Sequence, residues 1–407
     1  MPALAAHLTV SPSNMTNATD KLNIGYGKQT IDDRDVNAVC SALASDYLTQ
    51  GPKTAEFEQA LAAYCQPQNA PATKALAVNS GTAALYLAYQ AAGITPSSRV
   101  WVPAISFVAT ANMVLMLGAQ LDFIECDPQT GLMDLDWLEQ ALSTANANQV
   151  LPDLIVPVHL NGRLVDMKRL YDLKLKYGFK LVEDGCHALG ASDQFGQKAG
   201  AAIYSEFCTF SFHPVKSITT GEGGAITTTK DDLFHAISAA RSHGIKRGDH
   251  YPWHMQQVGF GINARISDFQ AALGLSQLQK LDGFIERRAQ LAAYYDAAFA
   301  AHKITQLQPL PASKTKSRCA HHLYPVRWMG DIAKKEALMR KIYDCGIKIQ
   351  VHYPAIFTQP FYQNLGYDQQ QCPAARDYAD RVFSLPLFPD LTFDQIDLIV
   401  ERLKTFQ

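Results

Sequence analysis

The chain has 407 residues, 47% hydrophobic and 18% charged, enough to bury a large core and to divide into more than one domain. Its 36 Lys and Arg against 38 Asp and Glu leave a formal net charge of -2. The two signs are well mixed, which argues against a basic stripe for nucleic acid or an anionic membrane surface, so an anionic ligand must be met by local groups.

The first 21 residues lack the basic start and long apolar run of an export signal and read as a flexible extension on a cytoplasmic protein. No apolar run reaches membrane-spanning length. The eight cysteines form no CxxC pair and have no Cys/His spacing suited to zinc, so reduced thiols and no metal site are expected.

From about residue 30 to 260, strand-like and helix-like segments alternate. "KALAVNS" precedes the helical "TAALYLAYQAAG". "RVWVPAIS" and "AQLDFIEC" are β-like and flank "FVATANMVLMLGA". "DLIVPVHL" and "FKLVEDG" flank the amphipathic "DMKRLYDLKLKYG". Nearly all-apolar strands alternating with helices predict a mostly parallel sheet covered on both faces. Residues 22–266 are thus expected to form a large α/β domain with an N-terminal arm, and 267–302 one long connecting helix. Residues 303–407, with "HHLYPVRWM", "KKEALMRKIYDCG", the strand-like "IKIQVHY" and a closing helix, predict a smaller α+β domain.

Three segments of the α/β part offer chemistry where strand ends meet helix starts. Ser80-Gly81-Thr82, between a strand and a helix, makes either a phosphate cradle or a plain Ser N-cap. Glu183 and Asp184 close an apolar strand. Adjacent strand residues face opposite ways, so only one enters a given site, where it needs a cation, a protonated ring nitrogen or a metal. Lys216, between Pro214 and Gly221, is either an exposed loop lysine or a desolvated Schiff-base nucleophile. Its run is no Walker loop, because the lysine precedes the glycines. Together the three ask for a ligand with a phosphate, a basic ring nitrogen and an aldehyde, which is pyridoxal 5'-phosphate.

The segments "YLTQGPKTAEFEQALAAY", "NSGTAAL", "VEDGCHALGA", "FSFHPVKSITTGEGGAITT", "RSHGI", "GINARISDFQAALGLSQL" and "QVHYPAIF" occur in this order. With them the chain resembles the sugar-nucleotide aminotransferases, pyridoxal-phosphate enzymes of fold type I, from about residue 22 to its end. The resemblance implies that Lys216 bonds the cofactor aldehyde and moves the proton, and that Asp184 holds the ring nitrogen protonated. It implies further that Ser80, Gly81, Thr82 and Ser211 surround the phosphate, that Phe107 stacks on the ring and that His187 lines the pocket.

Asn263 matches a position that reaches the cofactor phosphate of a neighbouring subunit, which implies a homodimer with shared active sites. At Ala264 the chain departs from relatives that carry an aromatic residue. For the sugar nucleotide the matching positions are Tyr26, the run Asp46, Tyr47, Leu48 and Thr49, and the run Gln350, Val351, His352 and Tyr353. The implied substrates are L-glutamate and a UDP-linked 4-keto-6-deoxy-N-acetyl sugar. "PAISFVATANM", "HHLYPVR" and "IQVHYPAIFTQPFYQNLG" are most similar to the branch of the family that serves pseudaminic acid synthesis. A second reading is another C4 or C3 aminotransferase acting on a different UDP- or dTDP-linked keto-sugar. Sugar dehydratases of the same fold carry histidine in place of the lysine, and a binding protein without turnover would be expected to lose the lysine or the acid. Lys216 and Asp184 argue against both.

Overall fold

The computed structural model describes residues 23–67, 70–248, 251, 253–312, 316–368 and 370–406. The expected N-terminal extension lies outside the described residues. Helices α1 (Asp33–Leu43) and α2 (Pro52–Cys65) come first. They are followed by β1 (Lys74–Val78), α3 (Gly81–Ala91), β2 (Arg99–Pro103), α4 (Ala109–Met116) and β3 (Gln120–Ile124). Then come α5 (Leu135–Ala147), β4 (Leu154–Ile155), α6 (Met167–Tyr177), β5 (Lys180–Asp184), β6 (Phe207–Ser211) and β7 (Gly224–Thr228).

The seven strands form one sheet in the order β1-β7-β6-β5-β4-β2-β3. Pairing is parallel from β3 through β2, β4 and β5 to β6, and β7 runs antiparallel to both its neighbours. Each long strand is buried over most of its length, as a sheet with helices on both faces requires. This topology positions the site. The carboxyl ends of β1, β2, β5 and β6 open on the same edge, and the reversal from β6 to antiparallel β7 carries residues 212–223 across that edge.

After α7 (Asp231–Ala240) comes a hairpin of β8 (Ile245–Arg247) and β9 (Met255–Gln257). The stretch expected as one long helix is two, α8 (Asp268–Leu278) and α9 (Leu281–Ala301). At the break Lys280 turns to Asp35, which is fully buried and 2.5 Å away, and to Asp32 at 3.0 Å. A buried carboxylate needs such a cation, and the break delivers it.

The C-terminal part contains β10 (Leu307–Pro309), β11 (Tyr324–Trp328), α10 (Lys335–Asp344), α11 (Pro360–Asn364), α12 (Pro373–Arg381), β12 (Val382–Leu385) and α13 (Phe393–Lys404). β10, β11 and β12 form an antiparallel sheet over a second core that includes Leu291, Tyr295, Val326, Phe383 and Ile399. Ile24 belongs to this second core, and its backbone bonds Gly346 and Lys348. The start of the arm therefore packs on the C-terminal part and not only on the α/β part. "IKIQVHY" is no strand: it makes single bridges, Ile347 to Ile24 and Gln350 to Ser384, because residues 350–353 leave the sheet for the cavity wall. Among the described residues no helix is long and apolar enough to cross a membrane.

Candidate active site

A cavity of about 540 Å³ lies at the carboxyl edge of the large sheet. Ser80, Gly81, Thr82, Phe107, Asp184, His187, Ser211 and Lys216 line it. So do Tyr26, Gln350, Val351, His352 and Tyr353 from the arm and the C-terminal part. Segments far apart in sequence thus meet because strand ends, the β6–β7 crossing and the second core share one edge.

At the start of α3 the two readings of Ser80 hold together. Its Oγ accepts from the Ala83 N–H at 3.1 Å as an N-cap. Among the described residues the N–H groups of Gly81 and Thr82 have no acceptor, so the helix end still offers donors and a positive dipole to an anion. Gly81 must lack a side chain, since a Cβ there would meet Ser211 Cβ at 2.8 Å.

The structure separates the two adjacent acids at the end of β5. Glu183 faces away from the cavity, where its carboxylate meets His159 Nε2 at 2.8 Å and the Ser205 hydroxyl at 2.5 Å. Asp184 faces the cavity. Its Oδ2 accepts from Thr110 Oγ1 at 2.7 Å and its Oδ1 from the Cys186 N–H at 3.1 Å, while Ser106 in turn bonds Thr110 at 2.8 Å. Asp184 is 5% exposed, and among the described residues no cation pairs with it. A carboxylate so buried and oriented calls for a positive partner from a ligand.

Lys216 follows the turn after β6 and is half-buried in the cavity wall. Its Nζ has no hydrogen bond or ion pair among the described residues. Burial pushes its ammonium below the ordinary lysine pKa, against the opposing pull of Cys186 and Asp184. It is therefore readier than a surface lysine to present a free amine.

His187 is buried, and burial, with Lys216 and His352 adding, holds it well below the usual imidazole pKa. The Asn161 N–H donates to its Nδ1 at 3.3 Å, so the neutral ring carries its proton on Nε2 and donates it to the Tyr353 hydroxyl at 3.1 Å. Burial lowers His352 to about 3, and its Nδ1 bonds the Ser384 hydroxyl at 2.9 Å. Phe107 is 56% exposed at the mouth, its ring 6.0 Å from that of Tyr353.

Five expected residues do not line this cavity. Asn263 is exposed, as are Asp46, Tyr47, Leu48 and Thr49. They share one surface: Leu48 accepts from the Asp268 N–H, Thr49 bridges Ser267, and Asn263 lies just upstream. Ala264 is buried, its backbone carbonyl accepting from the Asn79 N–H at 2.9 Å. Sequence reasoning missed Ser106, Thr110, Cys186 and His322. Ser106 and Thr110 sit in the quoted segment "PAISFVATAN", but their spacing carries no signal until the fold sets Thr110 against Asp184.

An acid without a cation, an amine without a partner and a helix terminus with free donors together fit pyridoxal phosphate. The chain matches the DegT/DnrJ/EryC1/StrS aminotransferase family over residues 29–404. It is 37% identical over 344 residues to the UDP-4-amino-4,6-dideoxy-N-acetyl-beta-L-altrosamine transaminase of Campylobacter jejuni, covering 84% of this chain and 86% of that protein. It superposes on Helicobacter pylori PseC, an aminotransferase involved in the biosynthesis of pseudoaminic acid, with a TM-score of 0.85 at 30% identity, covering 94% and 98% of the two chains. It is also similar to Spr1654 of Streptococcus pneumoniae, a sugar aminotransferase by its description, in the PLP-form: TM-score 0.84 at 29% identity, with 94% and 98% covered. The match over nearly the whole chain and the grouping of Lys216, Asp184 and the α3 terminus agree: the chain belongs to the DegT/DnrJ/EryC1/StrS aminotransferase family and is a pyridoxal-phosphate-dependent aminotransferase.

Proposed function

We propose that this enzyme moves the amino group of L-glutamate to C4 of UDP-2-acetamido-2,6-dideoxy-beta-L-arabino-hexos-4-ulose, a step of pseudaminic acid biosynthesis, in the cytoplasm. The similarity to the altrosamine transaminase and to PseC supports this sugar. The observation that carries transamination is Asp184 and Lys216 facing one cavity, with the α3 terminus at its wall.

When bound, pyridoxal phosphate supplies an aldehyde for the amine and an electron sink for the bond broken beside it. The chain's residues then have distinct tasks. The N–H groups of Gly81 and Thr82, with Ser80 and Ser211, hold the phosphate. Asp184, fixed by Thr110 and the Cys186 N–H, stabilises a proton on the ring nitrogen. Lys216 Nζ takes the proton from the amine-bearing carbon of the donor and returns it elsewhere. Phe107 covers the open face, and His187 with Tyr353 closes a side. Tyr26 and residues 350–353 face the sugar nucleotide.

The test is direct. Incubated with L-glutamate and a panel of UDP- and dTDP-linked keto-sugars, the protein should release 2-oxoglutarate fastest with the UDP-linked 4-keto sugar. Faster turnover of a dTDP-linked or a 3-keto sugar would replace this substrate with another of the class.

The active unit we propose is a homodimer whose two sites each use Asn263 and residues 46–49 of the second copy. Their exposure on one surface, away from their own cavity, supports it. Lys216→Ala and Asn263→Ala chains, each impaired alone, should complement when mixed and re-equilibrated. Each mixed dimer then has one site with both residues intact, so an equal mixture should recover up to about one quarter of wild-type activity. Absence of recovery in a mixture that mass measurement shows to contain mixed dimers would mean that Asn263 acts within its own chain.

A further inference from the structure

We propose that His322 receives the α-carboxylate of the amino donor, as a neutral imidazole that becomes charged only while the carboxylate is bound. This rests on the glutamate-dependent reaction proposed above. Among the described residues the cavity contains a single lysine or arginine, Lys216, and that amine is committed to the reacting carbon. Within its own chain the donor's carboxylate therefore needs another partner.

His322 stands out among the four imidazoles of the wall, of which His213 is exposed and accepts from the Val215 N–H at 3.5 Å. Both ring nitrogens of His187 are bonded, and His352 is tied to Ser384. His322 lines the same cavity and is 3% exposed, yet neither of its ring nitrogens has a hydrogen bond among the described residues, and its Nδ1 is fully buried. A buried polar atom left without a partner costs roughly 1–3 kcal/mol, which a ligand can relieve.

The backbone of His322 is held firmly. Its N–H donates to the Asn161 carbonyl at 3.2 Å, and its carbonyl accepts from the Arg288 guanidinium at 3.2 Å. Arg288 is 1% exposed and also donates to the carbonyls of Leu387, at 2.9 Å, and His321. His321 before it takes a left-handed φ of 44°, a conformation that a non-glycine residue holds only where its surroundings fix it.

The charges around the ring are one-sided. Burial first, then His187, Lys216, Arg288 and His352, hold His322 well below the usual imidazole pKa. An arriving carboxylate reverses the balance, and the ring takes a proton from solvent as it accepts the anion. Such a partner suits a reaction with two unlike substrates. The keto-sugar has no carboxylate beside its reacting carbon, and a permanent guanidinium there would stand unpaired in half of the cycle.

The test uses the cofactor-loaded enzyme and separates its half-reactions. His322→Phe should raise KM for L-glutamate and 2-oxoglutarate about 10- to 100-fold, the range that a hydrogen bond to a charged group contributes. The half-reaction with keto-sugar should stay near wild type. In the wild type, KM for glutamate should rise with pH above the free-enzyme pKa of His322 and level off above its higher, carboxylate-bound pKa. His322→Gln, which donates without taking a proton, should recover part of the affinity and lose that pH dependence. Independently of turnover, glutarate should move the 15N signals of His322 toward imidazolium near pH 7.

Equal slowing of both half-reactions would mark His322 as structural. Arg265, two residues after Asn263 and outside this chain's own cavity, is the rival cation that a second copy would bring. An unmoved 15N signal, or loss of glutamate affinity in Arg265→Ala with His322→Phe unaffected, would place the carboxylate elsewhere and overturn the proposal. A wild type that ignores glutamate yet shows the glutarate shift would fault the proposed donor and leave the carboxylate site standing.

Discussion

Lys216→Ala should lose turnover by at least the roughly 10²–10⁴-fold that a positioned proton-transfer group contributes, and should lose the visible absorbance of lysine-bound cofactor. Among the described residues no other amine lines the cavity, so none of them can take over the bond to the aldehyde or the proton transfer. Borohydride reduction of the wild type should fix the cofactor to the peptide containing Lys216, and in the variant to none. Near-normal turnover, or a label on another lysine, would end the assignment. The lowered pKa adds a dependence on pH. Capture of pyridoxal phosphate by cofactor-free protein should quicken as pH rises and level off below the ordinary lysine value, because burial disfavours the ammonium. Condensation also removes the charge that a tight pocket would otherwise have to solvate.

The large sheet was readable because its strands are short apolar runs between amphipathic helices. "FKLVEDG" became β5 and "RVWVPAIS" became β2. Interruptions were not readable. The helical pattern continues through Gln279 and Lys280, and the break between α8 and α9 depends on a buried Asp35 some 245 residues away in sequence. "IKIQVHY" has strand composition, yet it meets a neighbour at single residues only, since its later half serves the cavity. In the site, Lys216, Asp184 and Ser80 could be named from local pattern because each ends or follows a strand. Which carboxylate enters the cavity could not, for Glu183 and Asp184 are equally placed in sequence. Thr110 and His322 gain meaning only from partners brought by the fold.

Asp184→Asn should bind cofactor but turn over about 10²–10³-fold more slowly, the size of effect seen when one preorganised electrostatic contact is removed. The change keeps the shape of the side chain, so its consequence is one of charge and donor placement. In the native site Thr110 and the Cys186 N–H both donate to the carboxylate, which has lone pairs left for a protonated ring nitrogen. An amide cannot meet all three. If its oxygen keeps the Cys186 N–H, its NH2 group faces Thr110, and neither arrangement gives the ring nitrogen an anion. Glu183→Gln is the matched control on the opposite face of the same strand. It disturbs the contacts to His159 and Ser205, so it should cost about 1–3 kcal/mol of stability in denaturant unfolding while leaving kcat near wild type. A crippled Glu183→Gln beside an active Asp184→Asn would reverse the two roles. That outcome would require β5 to turn its other face to the cavity, against the alternation that sets Glu183 against His159 and Ser205 and Asp184 in the wall of the cavity that Lys216 also lines.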